Sequence, residues 1–280
     1  MKYFYSSASQ GFFGEGYAWH KPILLTESIR RFIKRERTLT QDGFSFCTIP
    51  KFPDFPFVCK TITLNPKKGT PWRFTPPPIT MITRSCWNKI RLHNKGFDWF
   101  IKEYTWRFAS GEKCGDLYKL IPSLYGTTDE LQRMIDGLEE YLDYMIKMVE
   151  INVSCPNVKE IAEIKLPESP YPLSLKLRYD DDPRRYDLSN VKRITLNSIP
   201  ASRYIKGMPG GISGKLAQSR NWDFIRKYQI QIAPEIAGCS ITKMEDIETL
   251  SKPPYNCKSI GLGSVLMINP WLVLKLKEER

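Results

Sequence analysis

Glu150-Ile-Asn-Val-Ser-Cys-Pro-Asn157 is the stretch of this sequence that most constrains its fold. An apolar run from Met148 to Val153 predicts a short buried strand, and the Ser-Cys-Pro turn that follows predicts its end. Asn152, Cys155 and Asn157 would then project from the carboxyl end of the strand, where barrel enzymes place their reactive groups. An amide both donates and accepts, which suits a planar ligand with C=O and N–H groups, and a thiol can act as nucleophile, base or metal ligand. The simpler interpretation is a turn rich in Asn with a small buried Cys.

The composition predicts one globular domain over residues 1–280. Hydrophobic residues make up 41% and aromatic residues 12% of the 280 positions, enough for a packed core. No apolar run reaches 18 residues and no basic segment precedes an apolar one at the N-terminus, so we expect a cytoplasmic protein with no membrane partner. Seven cysteines without CxxC spacing and two histidines indicate no disulfide framework and no metal site.

The chain carries a formal net charge of +12, which would attract anionic ligands. Its densest basic cluster, Arg30 to Arg37, is more typical of a solvated helix face than of a nucleic-acid groove, so no nucleic-acid partner is expected.

Short apolar runs alternate with helical patterns, as in parallel strands joined by crossover helices. The eight predicted strands are Tyr3 to Ala8, Phe57 to Thr61, Tyr118 to Leu124, Met148 to Val153, Leu173 to Leu177, Arg193 to Leu196, Gln231 to Ile236 and Ser259 to Gly263. The predicted helices are the Thr127-capped helix, Gly96 to Ala109, Leu216 to Lys227, Lys243 to Leu250 and Pro270 to Glu279. The pattern predicts an α/β fold, a (β/α)8 TIM barrel, whose fifth crossover, Asp180 to Arg185, is a charged loop without a normal helix.

Proline-rich insertions, Pro50 to Pro56 and Pro71 to Pro78, flank the second predicted strand. They are equally consistent with lids or substrate loops and with surface decoration.

Other predicted strand ends carry polar or glycine-rich groups. Lys60 ends the second strand, Lys176 the fifth and Asn197-Ser198 the sixth; Gly210 to Gly214 opens a helix and Gly261 to Ser264 follows the eighth strand. Glycine-rich turns at helix starts expose backbone N–H groups to a phosphate, and barrels often bind one after strands seven and eight. Each glycine-rich turn alone is weak evidence for a phosphate site. All of these groups, however, follow successive predicted strands, as the parts of one site at a barrel mouth would.

In that order the motifs resemble dihydroorotate dehydrogenase, the flavin-dependent enzyme of pyrimidine synthesis, and in particular its soluble cytosolic class. Glu150 to Asn157 matches the family's catalytic-loop motif almost letter for letter, and Val158-Lys159 extends it as in the subclass with an NAD-linked partner subunit. The resemblance covers nearly the whole chain. The other matching segments are Ser7 to Tyr17, Lys60 to Thr63, Gly69 to Arg73, Asn88 to Asn94, Lys176, Asn197-Ser198, Gly210 to Gly214 and Gly263-Ser264.

The resemblance implies FMN at the top of the barrel with a pyrimidine stacked on its ring. The substrate-binding residues it implies are Asn88, Leu92, Asn152, Asn157, Asn197 and Ser198. The cofactor-binding residues it implies are Ala8, Ser9, Lys60, Thr61, Asn152, Lys176, Ser213, Gly214, Cys239, Ser240, Gly263 and Ser264. Amides are suited to specificity because a buried amide left unpaired by a wrong ligand costs about 1–3 kcal/mol. The two lysines would stabilise the anionic reduced ring.

The implied reaction is the oxidation of dihydroorotate to orotate, with Cys155 and Lys60 as catalytic residues. Cys155 would be the general base that takes a proton from C5 while hydride leaves C6 for flavin N5. A free thiol has a pKa of about 8.5, so activity should rise with pH.

Three features depart from the family pattern. Arg91 replaces a glycine and adds bulk beside the substrate position, although its guanidinium could pair with a carboxylate. Cys239-Ser240-Ile241 stands where the family has Gly-Gly-Ile, and these side chains would crowd a phosphate unless the Ser hydroxyl replaces a contact. Because the sequence begins almost at the first predicted strand, we expect no counterpart of the family's hairpin before that strand.

Two function classes remain open from the sequence. The first is an FMN oxidoreductase, expected to be a homodimer, that uses fumarate, quinone or an NAD-linked subunit as electron acceptor. The alternative is a repurposed or inactive barrel that binds flavin or another ligand without dihydroorotate turnover. A dihydrouridine synthase would fit the basic charge, but the remaining length has no counterpart of that family's RNA-binding half.

Overall fold

The structure is a computed structural model that describes residues 1–6, 38–40, 43–45, 55–68, 79–82, 84–88, 92–110, 117–153 and 164–276. Among the predicted site residues, Ala8, Ser9, Cys155 and Asn157 lie outside these ranges, as does Arg91. The predicted basic helix at 30–37 and the proline-rich segment at 71–78 also lie outside them, with most of the segment at 50–56.

The strands are short and the helices follow the sequence prediction closely. The strands are β1 Lys2–Tyr5, β2 Thr38–Thr40, β3 Gly43–Ser45, β4 Phe57–Val58, β5 Ile79–Ile82, β6 Ser85–Asn88, β7 Leu120–Ile121, β8 Ser123–Leu124, β9 Val149–Asn152, β10 Leu173–Leu177, β11 Val191–Leu196, β12 Ile199–Pro200, β13 Gly211–Gly214, β14 Glu235–Ile236 and β15 Ser259–Leu262. The α-helices are α1 Phe97–Ala109, α2 Thr128–Leu142, α3 Lys215–Tyr228, α4 Met244–Ser251, α5 Val265–Ile268 and α6 Pro270–Lys275.

All eight predicted strand segments contain strand, and all pair in parallel. One sheet has the order β15-β1-β4-β7 and a second has the order β14-β11-β10-β9-β8. Two isolated parallel bridges link segments of the two sheets, Ile62↔Leu124 on one side and Gly238↔Ile260 on the other. The fold is therefore α/β, with parallel strands in the predicted order.

Helix α2 shows how the sequence fixes the helices that cover these strands. The Thr127 hydroxyl accepts from the N–H of Glu130 at 3.3 Å, and the Glu130 carboxylate accepts from the N–H of Thr127 at 2.9 Å. These two bonds form a capping box and confirm the predicted cap at Thr127. Its apolar face is fully buried, namely Leu131, Met134, Ile135, Leu138 and Leu142. Burying one amphipathic face supplies most of the stability of such a helix.

The fifth crossover has no α-helix, as predicted. The chain between β10 and β11 forms a short 3-10 helix, Pro183–Arg185, capped by the Asp182 side chain. The seventh predicted strand, Gln231 to Ile236, was too long at its start, because the strand begins at Glu235. Pro234 lacks the N–H that would be needed to extend the ladder backwards.

An antiparallel sheet that the sequence analysis did not predict has the order β12-β13-β6-β5. In it Gly211 pairs with Asn88 on one side and Pro200 on the other. Trp87 and Ile212 pair across the sheet and are buried with Ala201 in a small apolar cluster of their own. This sheet joins the segment after β11 to residues more than one hundred positions earlier.

Within the described ranges, no helix is long and apolar enough to cross a membrane. The cysteines described, Cys59, Cys86, Cys239 and Cys257, are all free thiols.

Candidate functional site

Side chains from neighbouring strand ends meet in one buried hydrogen-bonded cluster. Asn152 is the register partner of Lys176, and Lys176 is the partner of Thr195. The N–H of Val153 donates to the Lys176 carbonyl at 3.3 Å, and the N–H of Asn197 donates to the Leu177 carbonyl at 2.8 Å. The strand register thus aligns the carboxyl ends of β9, β10 and β11, as expected for a site at the rim of parallel strands.

The two predicted amides contact each other directly. Asn197 donates from Nδ2 to Oδ1 of Asn152 at 3.0 Å, and Asn152 donates from Nδ2 to the Thr61 hydroxyl at 3.2 Å. Asn152 is 3% exposed and Asn197 is 7% exposed, so water screens these bonds little. Thr61, Asn152 and Asn197, which are far apart in sequence, therefore lie together as the sequence predicted.

Glu150 lies at the centre of this cluster, although the sequence analysis assigned it no role. Its carboxylate is 1% exposed and accepts from Ser123 at 2.9 Å and from Thr195 at 3.1 Å. The Lys176 ammonium lies 3.5 Å from the same oxygen that Ser123 contacts. A charged residue inside an apolar run was the available signal, because buried carboxylates need paired partners.

Lys176 thus belongs to a buried ion pair at the site where the resemblance places a flavin contact. Its side chain is 11% exposed. Lys60, the other predicted lysine, follows β4, and burial lowers the pKa of its ammonium from the usual value. Both lysines thus lie where little water surrounds the side chain, and an ammonium group there would interact more strongly with an anionic ligand than in water.

Next to this cluster, the Arg193 guanidinium lies 3.8 Å from the centre of the Phe4 ring, and its Nε donates to Ser174 at 3.4 Å. Burial lowers the pKa of Arg193, while the charges of Glu150 and Glu235 act in the opposite direction. Phe4 belongs to a separate buried apolar cluster with Val58, Ile121 and Ala237. The described strands therefore place an apolar cluster, a charged group and an amide group close to one another.

Asn88 and Leu92 lie on segments outside the parallel strands, and no contact of the described residues joins either of them to this cluster. Asn88 ends β6, is half-buried and pairs in register with Gly211, whose other partner is Pro200. Pro200 is two residues from Ser198, so the antiparallel sheet joins Asn88 to the segment that follows Asn197. Leu92 is half-buried, and its carbonyl accepts from Asn94.

Asn94, the last residue of the matching Asn88 to Asn94 segment, has a structural role. Its Oδ1 accepts from the N–H groups of Thr63 at 3.3 Å and Gly96 at 2.8 Å, and its Nδ2 donates to Thr63 and to the Leu92 carbonyl. All four hydrogen-bonding positions of the amide are in use. This amide therefore fixes the loop that carries Leu92.

Ser213 and Gly214 lie in β13 and not in an open glycine-rich loop. Gly214 precedes α3, as predicted, but it also pairs with Ser85. Gly214 has a φ of 84°, which side chains rarely adopt. A Cβ atom at this position would also lie only 2.8 Å from the Arg84 carbonyl oxygen, so glycine is the residue that fits there. Their assignment to the cofactor stays a prediction.

Ser240 takes up the left-handed backbone conformation that glycine favours, with φ 59°. Helix α3 holds this turn. Asn221 donates to the Ser240 hydroxyl at 2.9 Å, and the Trp222 indole donates to the Cys239 carbonyl at 2.9 Å. Burial raises the pKa of Cys239 to about 12. Ser240 therefore occupies a backbone conformation that a glycine would adopt more easily, and hydrogen bonds from α3 hold it there.

Gly263 and Ser264 lead from β15 into α5, beside β1. The N–H of Ser6 donates to the Leu262 carbonyl at 3.1 Å, and a Cβ built on Gly261 would lie 2.7 Å from the Ser6 hydroxyl. The parallel bridge Gly238↔Ile260 aligns the Cys239-Ser240 turn with this strand. The two glycine-rich or glycine-like turns are thus at neighbouring strand ends.

Comparison with known proteins supports one family, although no family model matches the chain. It is 28% identical over 273 residues, 84% of both chains, to the protein named dihydroorotate dehydrogenase B (NAD(+)), catalytic subunit, of Caldicellulosiruptor saccharolyticus. It is 34% identical over 103 residues to the protein of the same name in Desulforudis audaxviator, where the match spans 36% of this chain and 30% of that protein.

A ligand-free dihydroorotate dehydrogenase from Eimeria tenella has a similar structure, with a TM-score of 0.56 over 91% of this chain and 90% of that one, at 12% identity. At that identity the likeness concerns the fold alone. Together the comparisons confirm the resemblance inferred from the sequence: this chain is similar to dihydroorotate dehydrogenases, at the distance of a divergent member.

Proposed function

We propose that this protein is an FMN-dependent oxidoreductase that acts on a CH–CH group and oxidises dihydroorotate to orotate. The contact between Asn152, Asn197 and Thr61, beside the buried Lys176, carries the proposal, because it groups the predicted substrate and cofactor residues at one place. The similarity over 84% of the Caldicellulosiruptor protein supports the same activity.

The proposal includes a closed eight-stranded barrel. The parallel pairings run from β15 through β1, β4 and β7 in one sheet, and from β8 to β14 in the other. β7 and β8 are separated by one residue, Pro122, and the Gly238↔Ile260 bridge joins the segment after β14 to β15. A continuous ring of eight segments accounts for this pattern, and it would direct the described amides to one mouth.

The residues present fit an FMN. A flavin ring that gains negative charge on reduction needs nearby cations, and Lys60 and Lys176 are both poorly hydrated lysines at strand ends. A phosphate needs backbone N–H groups at a tight turn, and Ser240 has the glycine-like φ of 59° that such a turn uses. When bound, FMN would supply the hydride-accepting chemistry that the protein's own side chains lack.

The protein's residues would then bind and orient the pyrimidine and move its proton. Asn88, Asn152, Asn157, Asn197 and Ser198 would form its hydrogen bonds, with Leu92 against the ring. A base is needed for the C5 proton, and we assign this role to Cys155. Because a thiol is mostly protonated at neutral pH, turnover should rise with pH toward the pKa of Cys155.

We also propose partners and a location for the protein. The relatives are named as catalytic subunits of an NAD(+)-dependent enzyme, which supports an NAD-linked subunit as partner and electron acceptor over fumarate or quinone. We further propose a homodimer located in the cytoplasm.

The experiment is anaerobic addition of dihydroorotate to the purified protein while flavin absorbance is recorded. Bleaching is expected. A yellow protein that does not bleach would indicate a changed substrate, and a colourless protein that cannot be reconstituted with FMN would favour the repurposed barrel.

Cys155→Ala should remain yellow and bleach far more slowly than the wild type. An unchanged rate would remove Cys155 from the mechanism without affecting the cofactor proposal.

A further inference from the structure

The amides of the candidate site are connected to a buried charge by an unbroken series of hydrogen bonds. Asn197 contacts Asn152, Asn152 contacts Thr61, and Thr61 contacts Ser123 at 3.1 Å. Ser123 contacts Glu150 at 2.9 Å. We refer to these five residues as the Glu150 chain.

Counting protons fixes the direction of every bond in the Glu150 chain. An ionised carboxylate only accepts, so the single hydroxyl proton of Ser123 is donated to Glu150. Ser123 must then accept at its contact with Thr61, and this uses the single hydroxyl proton of Thr61. Thr61 therefore accepts from Asn152.

The same reasoning orients both amides. The atom of Asn152 that faces Thr61 must be the donor Nδ2, so Oδ1 faces Asn197. Oδ1 has no proton, and the atom of Asn197 that meets it must therefore be Nδ2. A carboxylate two hydroxyl groups away thus determines which end of each amide is a donor.

Burial makes this arrangement energetically significant. Ser123 is fully buried, Glu150 is 1% exposed and Asn152 is 3% exposed, so little water is available to replace a lost partner. The Lys176 ammonium lies 3.5 Å from the carboxylate oxygen that accepts from Ser123, in the geometry of an ion pair.

We propose that Glu150 is a positioning residue that sets the donor and acceptor orientation of Asn152 and Asn197. It thereby selects heterocycles whose C=O and N–H groups match that orientation. This inference rests on the proposed function, since a pyrimidine is the ligand that the two amides would read.

Two substitutions that each remove one hydroxyl donor from Glu150 test it. Ser123→Ala interrupts the Glu150 chain, whereas Thr195→Val removes the bond to the other carboxylate oxygen and leaves the chain intact. In the flavin-loaded protein, titrated with orotate and followed by flavin absorbance, Ser123→Ala should raise the orotate Kd roughly five- to tenfold, because about 1 kcal/mol no longer holds the amides in one orientation. Thr195→Val should change the Kd less than twofold, with a similar loss of thermal stability in both variants.

A second readout uses the ligand-free protein. The side-chain NH2 of Asn152 should exchange slowly with solvent in the wild type and in Thr195→Val, and faster in Ser123→Ala, as measured by NMR. Equal effects of the two substitutions on both the orotate Kd and the exchange rate would overturn the inference. If the wild type gives no response to orotate, the proposed function fails, and the exchange rates alone decide the positioning role.

Discussion

Lys176→Met should destabilise the ligand-free protein by about 3 kcal/mol, because it removes the ammonium group that is paired with the buried Glu150 carboxylate. Removing one partner of a buried pair costs about 3–5 kcal/mol, and the two hydroxyl donors that Glu150 keeps, Ser123 and Thr195, place the loss near the lower end. Urea unfolding of flavin-free protein at pH 7 measures this loss.

A matched control separates the buried pair from charge loss in general. Arg184 forms a shorter pair with Asp182, at 2.5 Å, but the two side chains are 57% and 41% exposed. Arg184→Met should therefore cost little, since solvent screens that pair. The double variant Glu150→Gln with Lys176→Met should recover part of the loss, because the buried carboxylate that Lys176 faced is removed as well. If Lys176→Met costs no more than Arg184→Met, the reasoning about a buried charge network is wrong.

Three further outcomes are expected. Thr127→Ala removes the hydroxyl that caps α2 and should lower the free energy of unfolding by about 1 kcal/mol in urea denaturation. Burial raises the pKa of Cys86 to about 11 and of Cys257 to about 12, so at pH 8 iodoacetamide should modify both far more slowly than free cysteine, as mapped by mass spectrometry. Rapid modification of either thiol in the folded protein would contradict its burial. Ser240→Gly should remain within about 1 kcal/mol of the wild type, because relief of the left-handed conformation offsets loss of the Asn221 bond, whereas Ser240→Val should lose about 2 kcal/mol or more.

The parallel strands and their order could be predicted because their information is local. An apolar run such as Leu173–Leu177, buried along its whole length, is recognisable without its neighbours. The same holds for α2, whose capping box and apolar spacing lie within sixteen residues.

The antiparallel sheet could not be predicted, because its register depends on contacts that sequence spacing does not reveal. β6 pairs with β13, whose residues lie more than one hundred positions later. Gly211 to Gly214 looked like an open turn because glycine carries no strand signal of its own.

The part of the candidate site that could be predicted is the part whose residues stand in recognisable local motifs. Asn152, Asn197 and Thr61 were identified by their motifs, and their contact follows from the strand register. Glu150 was missed although it stands in the most informative octapeptide, because its role depends on Ser123, Lys176 and Thr195 on other strands.

A crystal structure of the protein with FMN and orotate added would show whether the amides and lysines form one flavin and pyrimidine site. We expect a flavin beside Lys60 and Lys176, with orotate hydrogen-bonded by Asn152 and Asn197. Ligand density at another place, or neither ligand bound at saturating concentration, would contradict it.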